Sequence, residues 1–214
     1  MELSTSERKL LSRAIHREPE AFSELYLQYR QSVLRHVYYL VGNLEEADDI
    51  TSETFLRAWK AIERFEDRGI SIQAWLLKIA YNLGNQHLRR RRPTVTVKDI
   101  DDVLFDDNAP EVAAERSMEM RALGRALLSL PAIQRKVVVL RFLNELRYEE
   151  IEAIVGKSNG ALRVIQHRAF QALRQSLAES QLSSAVMEER LLAEASSEPA
   201  GKTTLRVAQQ PARS

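Results

Sequence analysis

Polar side chains recur every three or four residues along the segment AWLLKIAYNLGNQHLRRRRP, residues 74–93. They are Trp75, Lys78, Asn82, Asn85 and Arg89. Because a helix brings positions three and four apart onto one face, this spacing predicts a polar stripe. Amides can hydrogen-bond base edges, an aromatic ring can stack on bases, and guanidinium groups bind phosphates, so the stripe indicates a nucleic-acid surface. Two alternatives stay open: the arginines only complement the helix dipole, and Trp75 belongs to the core.

The net charge of +1 conceals segments of opposite sign. Residues 75–92 carry five cations and no acid, and residues 156–175 carry four cations and no acid. Between them, residues 94–119 hold eight acids against two cations. This pattern predicts two anion-binding surfaces on two modules, joined by a linker that does not bind the same anion.

Composition argues against several classes of protein. There is no cysteine, and the four histidines are widely separated, which argues against disulfides and a metal centre. The first twenty residues are charged where a signal peptide needs an apolar run, and no stretch approaches the ~18 apolar residues that span a bilayer. No nucleotide-binding or nucleophile motif occurs. We therefore expect a cytoplasmic protein without direct membrane insertion, cofactor or enzymatic activity.

Apolar residues recur at helical spacing along most of the chain, which predicts an all-α fold of two small helical domains. Gly42 and Asn43 end one helical block, and Pro93 ends the block that carries the polar stripe. We expect a first domain over residues 1–92 and an acidic flexible linker over 93–112. A second domain is expected over 113–180. Residues 181–214 would then form a partly disordered C-terminal extension with one further helical piece.

The second domain contains the pattern of a helix-turn-helix. YEEIEAIV is followed by the turn GKSN and then by the basic segment GALRVIQHRAFQALRQSL. With the apolar positions facing inward, Asn159, Arg163, Gln166 and His167 form the exposed face, a set suited to the major groove. The alternative is a solvated helix in a bundle.

Acidic side chains cluster in EEADDITSETF, residues 45–55, where Asp49 and Glu53 share one helical face. A carboxylate pair could serve catalysis or bind a metal, but no histidine or nucleophile accompanies it. A solvated face and a protein-docking surface are the other interpretations.

Together these segments resemble the bacterial RNA polymerase sigma factors of the extracytoplasmic-function type, in the sigma-70 family. AFSELYLQYRQSVLRHVYYLVGN, EEADDITSETFLRAW and the arginine-ended helix resemble that family's promoter-melting domain, in order. LLSLPAIQRKVVVLRFLNELRYEEIEAIVGKSNGALRVIQHRAFQALR resembles its second DNA-binding domain. The resemblance implies a factor that binds core RNA polymerase, recognises promoter DNA and melts it.

The resemblance also implies roles for particular residues. Docking on the clamp helices of the largest polymerase subunit would use Asp49, Glu53, Phe55 and Trp59. Capture of the minus-ten element would use Asp67, Arg68, Gly69, Ser71, Lys78, Asn82, Asn85, Gln86, Arg89 and Arg90. The minus-thirty-five element would be read by Ser158, Asn159, Arg163, Gln166 and His167.

Further partners follow from the same resemblance: the flap of the second-largest polymerase subunit, and an anti-sigma factor as a candidate inhibitor. Two other functions stay open. One is a stand-alone helix-turn-helix regulator, which leaves the first domain unexplained. The other is a regulatory sigma paralogue that binds polymerase but lacks promoter activity.

Overall fold

The structure is a computed structural model that describes residues 5–66, 69–90 and 113–196, with side chains described for 6–66, 69–90 and 121–178. Within these ranges the protein is all-helical and contains no strand, as the periodicity predicts. Asp67, Arg68, the predicted linker from residue 93, and the predicted disordered tail from about residue 198 lie outside the described residues. None of the described helices is long and apolar enough to cross a membrane.

The first helical group contains four helices. They are α1 (Thr5–Ile15), α2 (Pro19–Val41), α3 (Leu44–Ala61) and α4 (Ile72–Arg90), with a 3-10 turn at Ile62–Arg64 after α3. Proline occupies the first turn of α2, where the backbone N–H that it lacks would have no hydrogen-bond partner within the helix. Gly42 ends α2 in the left-handed conformation, at a φ of 78°, and its N–H donates to the Tyr38 carbonyl. Asn43 then caps α3 by accepting from the Glu46 N–H at 2.9 Å.

Aromatic rings and small residues hold this group together. Phe55 of α3 packs edge-on against Phe22 and Tyr26 of α2, at centroid distances of 6.5 and 4.9 Å. Gly84 lets α4 approach α2 closely, since a Cβ there would lie 2.3 Å from Leu40 Cδ2. The close packing of α2, α3 and α4 fixes the outward faces of α3 and α4, which carry the predicted functional side chains.

The second helical group begins with α5 (Ala113–Ser129) and α6 (Ala132–Val138), which a π turn at Val139–Leu143 extends. It ends with α7 (Tyr148–Val155) and α8 (Asn159–Ser196). Gly156 terminates α7 at a φ of 72°, and its N–H donates to the Glu152 carbonyl at 2.8 Å. α7 and α8 are therefore the two helices of the predicted helix-turn-helix.

α8 continues without interruption to Ser196, although we expected its C-terminal part to form a separate helical piece. The physical reason is that neither glycine nor proline occurs between residues 161 and 196. The chain divides into two compact units, Met1–Leu177 and Ala178–Ser214. The first unit contains the first helical group and the second group as far as Leu177 of α8, and in it α4 packs against α7 and α2 packs against α6.

Candidate nucleic-acid interface

The polar stripe of α4 is only partly open to solvent. Asn82, Gln86, Arg89 and Arg90 are exposed, whereas Lys78 and Asn85 are half-buried. Trp75 packs edge-on against Phe65 at 5.4 Å between ring centroids, which supports its interpretation as part of the core edge. The exposed half of the stripe thus lies toward the C-terminal end of α4, where the arginines are.

The loop before α4 ends in a helix cap. The hydroxyl of Ser71 accepts from the Ala74 N–H at 3.2 Å, and the Ser71 carbonyl accepts from the Trp75 N–H at 3.0 Å. Gly69 has a φ of 81° and is exposed. Of the predicted loop residues, the structure therefore places Gly69 and Ser71 at the N-terminus of α4.

The acidic face of α3 is presented outward. Asp49 is exposed, and the Glu53 side chain, 45% exposed, accepts from Arg57 Nε at 2.7 Å. Trp59 is half-buried against Phe22, and the Arg17 guanidinium lies 5.5 Å from its ring. The side chains of Asp49 and Glu53 are therefore accessible to a partner, whereas only one edge of the Trp59 ring is.

Phe55 does not belong to this outward face, because it is only 5% exposed. Its ring supports α3 from beneath, so Phe55 is not accessible to a partner in this structure, and its predicted docking role stays a prediction. The neighbouring Leu56 is 56% exposed and takes its place. Helical spacing contains the signal for this residue, since positions 49, 53 and 56 follow one another at steps of four and three.

α3 and α4 face each other across an open cleft of about 280 Å³. Asp49, Glu53 and Arg57 line one wall, and Gln86 and Arg90 line the other. At its edge His87 Nε2 lies 2.7 Å from Glu46 Oε2, an interaction that ties the two helices together. The acidic face and the exposed part of the polar stripe are consequently adjacent surfaces.

The first turns of α8 present part of the predicted base-reading set. Arg163 and His167 are exposed, whereas Gln166 Oε1 accepts a hydrogen bond from the Tyr148 hydroxyl. Asn159 Oδ1 accepts from Arg163 Nε at 3.1 Å. Ser158, exposed before α8, accepts on its hydroxyl from the Ala161 N–H at 3.5 Å.

Tyr148 is a member of this surface that the sequence pattern missed. The guanidinium of Arg163 lies 4.8 Å from its ring centroid, and that of Arg141 lies 5.2 Å away. A cation near an aromatic face is stabilised by the ring quadrupole. The ring therefore holds two cations beside the start of α8, a position that depends on the packing of α7 and not on any local motif.

The two helical groups meet at the polar stripe of α4. Lys78 Nζ donates to the carbonyls of Ala153 and Ile154 at 2.6 and 2.7 Å. Lys136 Nζ donates to Asn85 Oδ1 at 2.9 Å and lies 5.0 Å from the Tyr81 ring. The residues that the sequence assigns to a nucleic acid are thus partly engaged by the second group.

Glu150 of α7 reaches across to the N-terminus of α4. Its Oε1 accepts from the N–H and the hydroxyl of Ser71 at 3.0 and 2.6 Å, and its Oε2 accepts from the Arg147 N–H. Burial by itself raises the pKa of this carboxyl, but the hydrogen bonds from Ser71 and Arg147 outweigh it, so the pKa lies below its ordinary value. Glu150 is a buried carboxylate with a full set of donors.

Comparison with known proteins identifies two sequence families in the chain. The model of sigma-70 region 2 matches residues 25–94, and the model of sigma-70 region 4 matches residues 126–175. The first match contains α3 and α4, and the second contains the helix-turn-helix.

Curated relatives are similar over most of the chain. The ECF RNA polymerase sigma factor BldN of Streptomyces coelicolor is 39% identical over 171 residues, which are 79% of this chain and 65% of BldN. SigE of Mycolicibacterium smegmatis is 36% identical over 161 residues, 74% of this chain and 62% of SigE. The chain thus spans less than two thirds of the length of these two relatives.

Among solved structures, one similar fold is the sigma factor RpoE in complex with the anti-sigma factor NepR from Bartonella quintana. The TM-score is 0.59 at 27% sequence identity, and the match covers 73% of this chain and 96% of the RpoE chain.

Proposed function

This chain belongs to the sigma-70 family of bacterial RNA polymerase sigma factors, in its extracytoplasmic-function (ECF) branch, and on that premise we propose that it directs core polymerase to promoters. One observation carries the proposal: a region 2 match and a region 4 match occur in one chain. A stand-alone helix-turn-helix regulator would need only the second. The polymerase would form the phosphodiester bonds, and this chain would supply recognition and melting.

The acidic face of α3 is the proposed docking surface for the polymerase clamp helices. It consists of Asp49, Glu53 and Leu56, with Trp59 at its edge. Leu56 is a large apolar side chain exposed among charges, and an apolar centre within a polar rim is the usual anatomy of a protein interface. Phe55 would act indirectly, by fixing α3 against α2.

A single DNA strand of the minus-ten element would bind along α4 and the loop before it. The exposed Asn82, Gln86, Arg89 and Arg90 offer amides for base edges and guanidinium groups for phosphates. Asp67 and Arg68 of the loop belong to the same proposed site. Gly69, Ser71, Lys78 and Asn85 complete it, once the second helical group no longer engages them.

The minus-thirty-five element would be read by the start of α8 in the major groove. Arg163 and His167 are exposed for this role, and Ser158 and Asn159 lie at the helix N-terminus, where backbone N–H groups favour phosphate. Gln166 would have to exchange its hydrogen bond from Tyr148 for a base.

Two protein partners belong to the proposal besides the clamp helices. The polymerase flap would contact the second helical group, as the family resemblance implies. An anti-sigma factor is the other partner, because RpoE, whose fold is similar, was solved with one. The function would place the chain where polymerase and chromosome are, in the cytoplasm.

Run-off transcription tests the function. Purified core polymerase would be incubated with a promoter-bearing DNA library, with and without the chain, and transcript starts would be mapped. Discrete new starts that share two upstream motifs are the expected result. Polymerase binding without new starts would instead indicate a regulatory paralogue, and the absence of both would indicate a stand-alone DNA binder.

A further inference from the structure

One large apolar side chain lies exposed on the second turn of α8. Val164 is 51% exposed, whereas Leu162, Ala169 and Leu173 of the same helix are buried. Because an α-helix has 3.6 residues per turn, Val164 lies roughly opposite these three residues. Its side chain therefore projects from α8 away from the core of the second helical group.

The neighbours of Val164 on this outward face are polar or small. Arg163 and His167 are exposed on one side of it, and Arg168 is exposed on the other. Gly160, one turn earlier, has no side chain, and a Cβ added there would meet nothing within 4 Å. The helix surface beside Val164 is therefore open, so a binding partner can come close to this short side chain.

Two polar side chains near Val164 are held on the side of α7. Arg163 donates from Nε to Asn159 Oδ1 at 3.1 Å, and its guanidinium lies 4.8 Å from the centroid of the Tyr148 ring, at the start of α7. Gln166 accepts a hydrogen bond from the hydroxyl of the same tyrosine. These contacts leave Val164 in the middle of the outward face of α8.

The charge of this part of the chain attracts the DNA backbone to the same face. Residues 156–175 hold four cations and no acid. A helix that enters the major groove meets base edges between the two phosphate backbones, and the C5 methyl of thymine is the apolar group on those edges. An apolar side chain at the centre of the face gains free energy by burial against that methyl.

We infer that Val164 is a specificity-determining residue, which recognises the C5 methyl group of a thymine in the minus-thirty-five element. The inference rests on the proposed function, because it concerns the surface assigned there to that element. Val164 would favour thymine over cytosine, which has no methyl group and whose exocyclic amine would lose its water against an apolar surface. The polar residues around Val164 would bind phosphates and neighbouring base edges.

Removal of the methyl group from the DNA tests the inference. Deoxyuridine pairs with adenine as thymidine does but lacks the C5 methyl group, so the replacement removes an apolar contact and keeps every hydrogen-bonding group. Core polymerase with this chain would be titrated onto fluorescent promoter duplexes in which the thymines of the mapped minus-thirty-five motif are replaced one at a time. One of these replacements should weaken binding about fourfold, which corresponds to the burial of one methyl group.

The variant Val164→Ala removes the other half of the same contact. It should bind the thymine duplex about fourfold more weakly than wild type does, and deoxyuridine should cause little further loss. The two changes remove one interaction, so together they should cost about as much as either does alone. The fold should be retained, because Val164 is exposed and alanine has the higher helix propensity.

Leu27→Ala is the matched control for the loss of an exposed apolar side chain. Leu27 lies on α2, is 76% exposed and is assigned neither to docking nor to DNA. This variant should bind the thymine duplex as wild type does and should keep the fourfold difference between thymine and deoxyuridine.

The outcomes separate the two proposals. Equal binding of thymine and deoxyuridine duplexes by the wild-type chain, or a difference that persists in full in Val164→Ala, would overturn the role of Val164 while wild-type transcription upheld the sigma function. Absence of promoter-specific transcription by the wild-type chain would overturn the function itself, and the inference with it.

Discussion

We expect Asp49 to contribute more to the proposed docking than Asp48 or Glu53 does. Asp48 accepts from Arg30 at 2.7 Å, and Glu53 accepts from Arg57, so both carboxylates already have a cationic partner. Asp49 is exposed on the wall of the cleft. A basic residue of the polymerase can therefore approach Asp49 without displacing an existing ion pair.

Replacing Asp49 by lysine should reduce promoter-specific run-off transcription by about tenfold or more, since like charges at an interface cost several kcal/mol. The thermal unfolding midpoint should stay within about 2 °C of wild type, because the residue is exposed. The same charge reversal at Glu20, exposed on α2, serves as the control and should retain transcription. Normal transcription by the Asp49→Lys protein would remove α3 from the docking surface.

The arginines at the end of α4 give a second prediction at this scale. Arg89 and Arg90 are exposed, and Arg91 and Arg92 follow them in the sequence. Replacing all four by glutamine should make the salt dependence of promoter binding shallower, by about 0.7 in the logarithmic slope for each single-strand phosphate that is no longer neutralised. Polymerase with each form of the chain would be titrated onto promoter DNA at several salt concentrations. A constant slope would mean that the run only complements the dipole of α4.

At the scale of helices, local signals determined most boundaries. Pro19, Gly42 and Gly156 stop or start helices through their own backbone restrictions, and each acts where the sequence places it. The burial of Phe55, which we predicted to take part in docking, could not be read from the sequence, because it depends on α2 covering that face of α3. Periodicity identifies a helix, but only tertiary packing decides which of its faces becomes the core.

Alanine substitutions at Gly84 and Gly160 distinguish a glycine that close helix packing requires from one that packing does not require. Gly84→Ala would place a Cβ 2.3 Å from Cδ2 and 3.2 Å from Cγ of Leu40, which is buried and has little room to move. Overpacking costs about 1–3 kcal/mol and exceeds the gain of about 1 kcal/mol in helix propensity, so a net loss of roughly 1 kcal/mol is expected. Urea unfolding measures it.

Gly160→Ala is the matched control at the start of α8, where nothing lies within 4 Å of the added Cβ. It should raise the free energy of unfolding by about 0.5–1 kcal/mol. Equal stabilisation by both substitutions would show that α2 and α4 are less tightly packed at Gly84 than the structure has them.

For the whole first unit, the sequence predicted two helical groups but not their mutual packing. Glu150 and Ser71 are separated by 79 positions, and Asn144 and Ser32 by 112. No periodicity or cap motif relates residues so far apart. The alternating charge along the chain indicated two surfaces for the same anion, and the structure adds that one surface is partly covered by the group that carries the other.

Buried His36 makes the stability of this unit sensitive to acid. Burial, and then the charge of Lys136, lowers the pKa of His36 to about 3 from an ordinary 6.5. The unfolded chain binds a proton near pH 6.5 while the folded chain does not, so stability falls as the pH drops below about 6.5. The contribution of this residue at pH 5 is a loss of about 2 kcal/mol relative to neutral pH.

His36→Phe should remove that contribution, because phenylalanine has a similar shape and no titrating nitrogen. Urea unfolding at pH 7 and pH 5 should show a smaller difference between the two pH values in the variant than in wild type. His167→Gln, on an exposed surface of α8, should retain the wild-type difference. A His36→Phe protein as acid-sensitive as wild type would mean that other groups control the effect.

The cleft between α3 and α4 has a consequence for the order of assembly. In the free chain, the carboxylate of Asp49 on one wall would repel a phosphate strand that approaches Arg90 on the other, whereas Glu53 is already paired with Arg57. Polymerase that covered the acidic wall would neutralise it and lower the local dielectric, which strengthens the attraction between the arginine and the strand. Linkage then requires DNA to tighten polymerase binding by the same factor. The free chain would therefore bind DNA weakly, and its affinity for a promoter would rise only after it had bound polymerase.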